Sequence, residues 1–244
     1  MKRYKFILEY DGAYFFGWQR QLIEPTVQQV LENQLSFLVK HDVIVYGAGR
    51  TDTGVHATGQ VAHADLEYPY SPYRLQKSLN HFLAPKGLCI RNCEEVDRSF
   101  HARFLAKKRT YQYFILNRTA PSTCNKKIWH VPKELNISHM RKAAKCLIGT
   151  HDFSSFRDSQ CQSKSPVKTL SHFHIEQKGE IIIATIEAPS FLHHQVRIMI
   201  GTLKNVGTGS ISIKDFIQIQ EAKDRKKAGQ TAPASGLFLT NVEY

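Results

Sequence analysis

The chain has 244 residues, 42% hydrophobic and 22% charged, and Lys plus Arg outnumber Asp plus Glu by 33 to 21 for a formal charge of +12. That length supports one large domain or two medium ones with real cores, and the basic balance together with 11% aromatic residues points to a polyanionic, nucleic-acid partner. Five cysteines (Cys89, Cys93, Cys124, Cys146, Cys161) with no C-x-x-C pair argue against a disulfide framework or a structural zinc site; no apolar leader and no run of membrane-span length is present, so the expectation is a soluble, cytoplasmic protein with no membrane association.

In chain order, Arg3 to Tyr10 alternates as a half-buried strand. Pro25 and Thr26 open a helix carrying Val27, Val30, Leu31, Leu35 and Leu38. Strands are predicted over 42–47 and 59–67, and Ser71-Pro72 caps a helix whose Leu75, Leu79, Phe82 and Leu83 share a face. Leu88 to Val96 closes a β-α-β-β-α-β order, the ferredoxin-like arrangement. The second half repeats the theme. A strand is predicted over Arg109 to Asn117, a helix from Pro132 to Gly149, and a hairpin of His172 to Gln177 with Glu180 to Ala188 turning at Lys178-Gly179. Helices over Phe191 to Val206 and Ser212 to Ala222 and a strand from Leu237 to Tyr244 complete it. The fold class is therefore α+β, two ferredoxin-like halves with sheets joined side by side and helices on one face. The expected domains are 1–103, carrying the catalytic loop, and 104–244, completing the cleft.

Between the predicted strands at 42–47 and 59–67, the stretch Gly47, Ala48, Gly49, Arg50, Thr51, Asp52, Thr53, Gly54, Val55, His56 sets an arginine and a carboxylate in a glycine-punctuated loop. Glycines permit positive φ or close backbone approach, which lets Asp52 be aimed from a rigid sheet edge. No helix follows the loop, so it is not a dinucleotide fingerprint. Taken alone it is equally a tight turn in which Asp52 bonds its own backbone. Basic residues beside aromatics, Arg103, Lys107 and Lys108 in one stretch and Arg157 and Lys164 in another, are the candidate RNA contacts. On local pattern Arg197 could snorkel from an amphipathic helix, and Tyr111 could pack in a core. His56, His193 and His194 have no spacing that specifies a metal, so His56 is read as a loop-structuring or RNA-contacting group.

Three further segments complete a pattern with that loop: Tyr10 to Gln21, Lys107 to Phe114, and Phe191 to Gly201. With Phe156 to Ser163 and Ala232 to Leu239 they resemble the tRNA pseudouridine synthase A family from end to end. Thr53 departs from the alanine usual there, a mild change. The resemblance implies an isomerase that converts uridine to pseudouridine at positions 38, 39 and 40 of the tRNA anticodon stem-loop, with no cofactor and no essential metal, working as a homodimer. It implies Asp52 as the catalytic nucleophile, with Tyr111 and Arg197 contacting the substrate; Arg197 is the cation that would favour the ionised carboxylate, while Arg50, a phosphate clamp or a surface charge on local pattern, is read as a phosphate or substrate contact from its place beside Asp52. Whether Asp52 attacks C1′, attacks C6, or supports a glycal intermediate stays open. Two rivals remain. One is a non-catalytic RRM-like RNA-binding protein, which shares the β-α-β-β-α-β order but lacks its aromatic signature here. The other is a metal-dependent nuclease using Asp11, Asp52 and Asp65, whose spacing does not support a shared metal.

Overall fold

The computed structural model describes residues 1–22 and 25–244. The protein is α+β and divides into two compact units, one of Met1–Lys107 with Phe238–Tyr244 and one of Lys108–Leu237.

In the first unit the strands are β1 (Lys2–Tyr10), β2 (Val45–Gly47), β3 (His56–Leu66) and β4 (Leu88–Val96), and the helices are α1 (Val27–Val39) and α2 (Pro72–Leu83). β1 is antiparallel to both β3 and β4, and β2 is antiparallel to β3. The resulting order β4-β1-β3-β2 is that of a ferredoxin-like sheet. Alternation along β1 turns Tyr4, Phe6, Leu8 and Tyr10 into the core, each large side chain contributing about 1.5–3 kcal/mol by burial. Thr26 caps α1 by accepting from the Gln29 N–H, and Val27, Leu31 and Leu35 form its buried stripe. On α2 the buried stripe is Leu75, Leu79 and Leu83. Phe82, expected on that face, is turned outward and meets Phe37 of α1 edge-on at 6.2 Å.

The second unit holds β5 (Lys108–Asn117), β6 (Trp129–Val131), α3 (Ile137–Lys145), β7 (Gly149–Asp152), β8 (Val167–Leu170), β9 (His172–Lys178), β10 (Ile181–Ala188), α4 (Gln195–Gly207) and α5 (Ile213–Glu221). β10 is antiparallel to β5 and β9, β6 runs parallel to β5, and β7 pairs with β8 as a separate ribbon. The hairpin turns at Gly179, whose φ is +60°. Two expected helices are shorter. α3 starts at Ile137 because Asn136 caps it, accepting from the His139 N–H, and α4 starts at Gln195 because His194 takes a left-handed backbone, φ 60°. Last comes β11 (Leu237–Glu243), which pairs in parallel with β3 through Phe238 opposite His56 and Leu239 opposite Ala57.

Candidate active site

The Asp52 loop leaves β2 and enters β3 at His56, three residues before the expected strand start. Nearly every residue around the carboxylate is tied to the body of its unit. Ala48 donates to the Val61 carbonyl at 2.7 Å, and the Gln60 amide donates to the Gly49 carbonyl at 2.9 Å. The Thr51 carbonyl accepts from the Trp18 N–H at 3.0 Å, while the Thr51 hydroxyl bonds the buried Tyr10 hydroxyl at 2.9 Å. Burial pushes the Tyr10 phenol up to about 12, the hydrogen bonds with Thr51 and Gln60 opposing, so the phenol keeps its proton and acts as a tether. Val55 donates back to the Asp52 carbonyl at 3.1 Å, and Gly54 has φ +78°.

Glycine is required on the facing segment by contact. A Cβ on Gly12 would lie 2.3 Å from the Val55 carbonyl oxygen, and one on Gly17 would lie 2.8 Å from that of Thr51. The turn Gly12–Tyr14 and the loop therefore close to backbone contact, which any side chain would prevent. His56 is 2% exposed and its ring stacks on Phe238 at 4.6 Å. Its Nδ1 lies 3.0 Å from the Gly12 nitrogen and 3.0 Å from the Asp11 carboxylate. Neutral at that nitrogen, the ring accepts the Gly12 N–H; protonated there, it donates to Asp11, and it cannot do both. Either way His56 structures the loop. Asp52 is partly exposed, and Arg50 beside it is exposed.

On the second unit, Tyr111 lies in β5 opposite Ile186 of β10, is 8% exposed and meets Phe191 edge-on at 5.2 Å. Its neighbour on the same face, Tyr113, is fully buried and donates to the Pro233 carbonyl at 2.7 Å; burial raises its phenol far above the ordinary range. Arg197 sits in the first turn of α4, and its Nε donates to the Ala232 carbonyl at 2.8 Å, so the guanidinium is held in place where the sequence also allowed a free, snorkelling chain. Just before α4, His194 Nδ1 lies 2.8 Å from Asp158, and the two rings of His193 and His194 stack at 3.9 Å. Burial would raise the Asp158 carboxyl, but the Gln160 N–H and His194 outweigh it and hold it below its ordinary value.

Of the candidate residues, Arg50, Asp52, Arg103 and Lys107 belong to the first unit, and Lys108, Tyr111, Arg157, Lys164 and Arg197 to the second. Arg103, Lys107 and Lys164 are exposed. Lys108 faces Glu187 at 3.2 Å, and Arg157 donates to the carbonyls of Cys161 and Ser163 at 2.8 and 2.7 Å. Asp65, from the nuclease reading, is clamped in both oxygens by Arg3 at 2.8 and 2.7 Å, and nine strand positions separate it from His56, about 30 Å along β3. The tethers Tyr10, Trp18 and Gln60 and the contact glycines Gly12 and Gly17 carried no assignment from sequence; aromatic residues alternating with glycines just after the first strand were the available signal.

A family profile described as tRNA pseudouridine synthase matches residues 7–105 and 143–244. A protein of Anaplasma phagocytophilum named tRNA pseudouridine synthase A is 49% identical over 245 residues, covering 99% of this chain and 100% of its own length. One of Paramagnetospirillum magneticum with the same name is 49% identical, covering 100% of this chain and 96% of itself, and one of Bartonella quintana is 44% identical over the whole of both chains. The non-catalytic RNA-binding reading finds no support in these matches.

Proposed function

This chain belongs to the tRNA pseudouridine synthase family, and we propose that it isomerises uridine to pseudouridine at positions 38, 39 and 40 of the tRNA anticodon stem-loop. The observation that carries the reading is the Asp52 loop, whose backbone is fixed on both sides by the Thr51, Gly49 and Val55 bonds while Asp52 itself stays partly exposed. The reaction breaks the bond from N1 of uracil to C1′ and forms one from C5 to C1′, the proton on C5 leaving and N1 gaining one. No oxidant or second substrate is consumed. An ionised carboxylate meets the electron-poor sugar or base directly, whichever of its three routes it takes: attack on C1′, attack on C6, or removal of a sugar proton towards a glycal.

In this reading Tyr111 presents an aromatic face to the target base and its hydroxyl assists loss of the C5 proton, while Arg50 and Arg197 contact the substrate. Arg103, Lys107, Lys108, Arg157 and Lys164 supply cationic contacts to tRNA phosphates. The protein works as a cytoplasmic homodimer; no helix among the described residues is long and apolar enough to cross a membrane. The test is incubation of purified protein with an unmodified tRNA transcript, with and without EDTA, followed by carbodiimide mapping. Pseudouridine at the three positions, undiminished by EDTA, is expected. An unmodified transcript would overturn the assignment.

A further inference from the structure

Arg103, Lys107 and Lys108 were expected to bind RNA through their charge, yet the most exposed large apolar residue beside them is Phe104, 75% exposed. Leaving a phenylalanine in water forgoes about 1.5–3 kcal/mol of burial. The exposure does not come from a loose segment. The His101 Nδ1 accepts the N–H groups of Arg103 and Phe104 at 3.2 and 3.3 Å, and Leu105 donates to the His101 carbonyl at 3.1 Å. Ala102 is pinned on both sides, its N–H donating to His63 at 3.2 Å and its carbonyl accepting from the Tyr244 hydroxyl at 2.8 Å. Lys107 donates to Glu243 at 2.8 Å.

Behind Phe104 an aromatic series runs from solvent to core. Phe104 packs on His101 with ring centres 4.3 Å apart, His101 meets Tyr46 at 5.7 Å, and Tyr46 stacks on buried His63 at 5.2 Å. Burial, with Arg3 and Arg103 nearby, lowers the proton affinity of His101, so its ring is a neutral stacking partner. The Arg103 guanidinium lies 5.8 Å from the Phe104 ring centre, and Arg98 and Lys107 are exposed on the same segment. The carboxylate of Asp97 is bonded to the Ser99 N–H at 2.8 Å.

We propose that Phe104, backed by His101 and Tyr46, is a stacking platform for an unpaired nucleobase of the tRNA, a base other than the one that reacts, with Arg103 beside it for the flanking phosphate. Every base has a π-face that a fixed aromatic ring receives, and an adjacent cation suits the phosphate that follows. A second copy of this chain fits less well. A twofold contact through the patch sets it against itself and brings Arg98, Arg103 and Lys107 up to their own duplicates.

The proposal rests on tRNA being the substrate. Its test measures tRNA affinity across a salt series for the wild-type protein and for Phe104→Ala, Phe104→Leu and Phe104→Trp, with sedimentation of each. Expected is a loss of about tenfold in Phe104→Ala and Phe104→Leu, recovery in Phe104→Trp, and an unchanged salt slope in all three, since stacking releases no counterion. Phe104→Trp should also show tRNA-dependent fluorescence quenching beyond that of the two native tryptophans. Affinity of Phe104→Ala within twofold of wild type overturns the platform. So does recovery in Phe104→Leu equal to that in Phe104→Trp, which would mean apolar packing, and so does conversion of a dimer to a monomer in Phe104→Ala, which would make a second copy the occupant. Wild-type protein that binds no tRNA would overturn the substrate reading and the platform with it, an outcome distinct from loss of the platform alone.

Discussion

Two loops carry four of the nine candidate site residues, Arg50 and Asp52 in one and Arg157 and Lys164 in the other, and they are built in opposite ways. The Asp52 loop of the first unit is held from outside: a buried tyrosine, a strand glutamine and the Trp18 backbone grip it, and two glycines let a facing turn reach backbone contact. The loop at 157–166 in the second unit is held largely from within. Arg157 bonds the carbonyls of Cys161 and Ser163, Asp158 bonds the Gln160 N–H, and Ser163 bonds Ser165, while His194, the His193 backbone and the backbone of Phe153 and Ser154 at its ends anchor it from outside. A reacting carboxylate has to stay within a fraction of an ångström of one geometry. A loop that meets phosphates through long cationic side chains tolerates more freedom.

The sharpest break is at the carboxylate. Asp52→Asn removes the ionised group and changes no backbone tie, so product by carbodiimide mapping should fall below detection while tRNA affinity stays within a few-fold. Substantial turnover by this variant would sink the nucleophile assignment and with it the reason for the rigid scaffold.

Which features the sequence announced follows the same division between local and distant causes. The first strand, the Thr26 cap and the Lys178-Gly179 hairpin rest on periodicity and turn chemistry within a few residues, and all are present. The short strands β6, β7 and β8 were not expected, since three or four residues give too brief an alternation to register against loop. The late start of the helix read over Pro132 to Gly149 was legible in principle through Asn136, a strong N-cap residue; its end at Lys145 carried no such local signal. Asp52 stood out because its glycines are its neighbours in sequence. Tyr10 and Gln60 did not, because their contacts with Thr51 and Gly49 span 41 and 11 positions.

Packing gives the next largest difference. Gly12→Ala drives a Cβ to 2.3 Å from a backbone oxygen that has no room to yield, so calorimetry should show a loss of about 3 kcal/mol, a drop in Tm of roughly 6–12 °C, together with reduced turnover. In the second loop, Ser163→Ala deletes an exposed bond of 3.0 Å and should change stability by less than about 0.5 kcal/mol. Similar losses from the two changes would mean that the loops are equally constrained.

A smaller change probes the tether alone. Tyr10→Phe keeps the ring and leaves the buried Thr51 hydroxyl without its partner, a cost of about 1–2 kcal/mol. If the tether positions Asp52, kcat should fall several-fold with KM for tRNA nearly unchanged. A purely structural role would lower Tm and leave kcat as it was.

The mildest effect expected is on the second loop's acid response. The Asp158 carboxyl is held below its ordinary value in the folded protein, so the unfolded or detached loop binds its proton more readily. Its stabilisation is then complete above the unfolded value, about 3.9, and is lost as pH falls from there through the lower folded value. Amide exchange at Gln160 and Cys161, which donate to the Asp158 side chain and carbonyl, should accelerate over that window, while the Trp18 amide, which donates to a carbonyl in the other loop, should not follow the same curve. Asp158→Asn keeps an acceptor for Gln160 and has no charge to titrate, so it should flatten the pH dependence at those two amides without unfolding the unit. If acid instead released the Trp18 amide together with Gln160 and Cys161, the two loops would open as one, and the contrast between a scaffold gripped from outside and a loop folded on itself would fail.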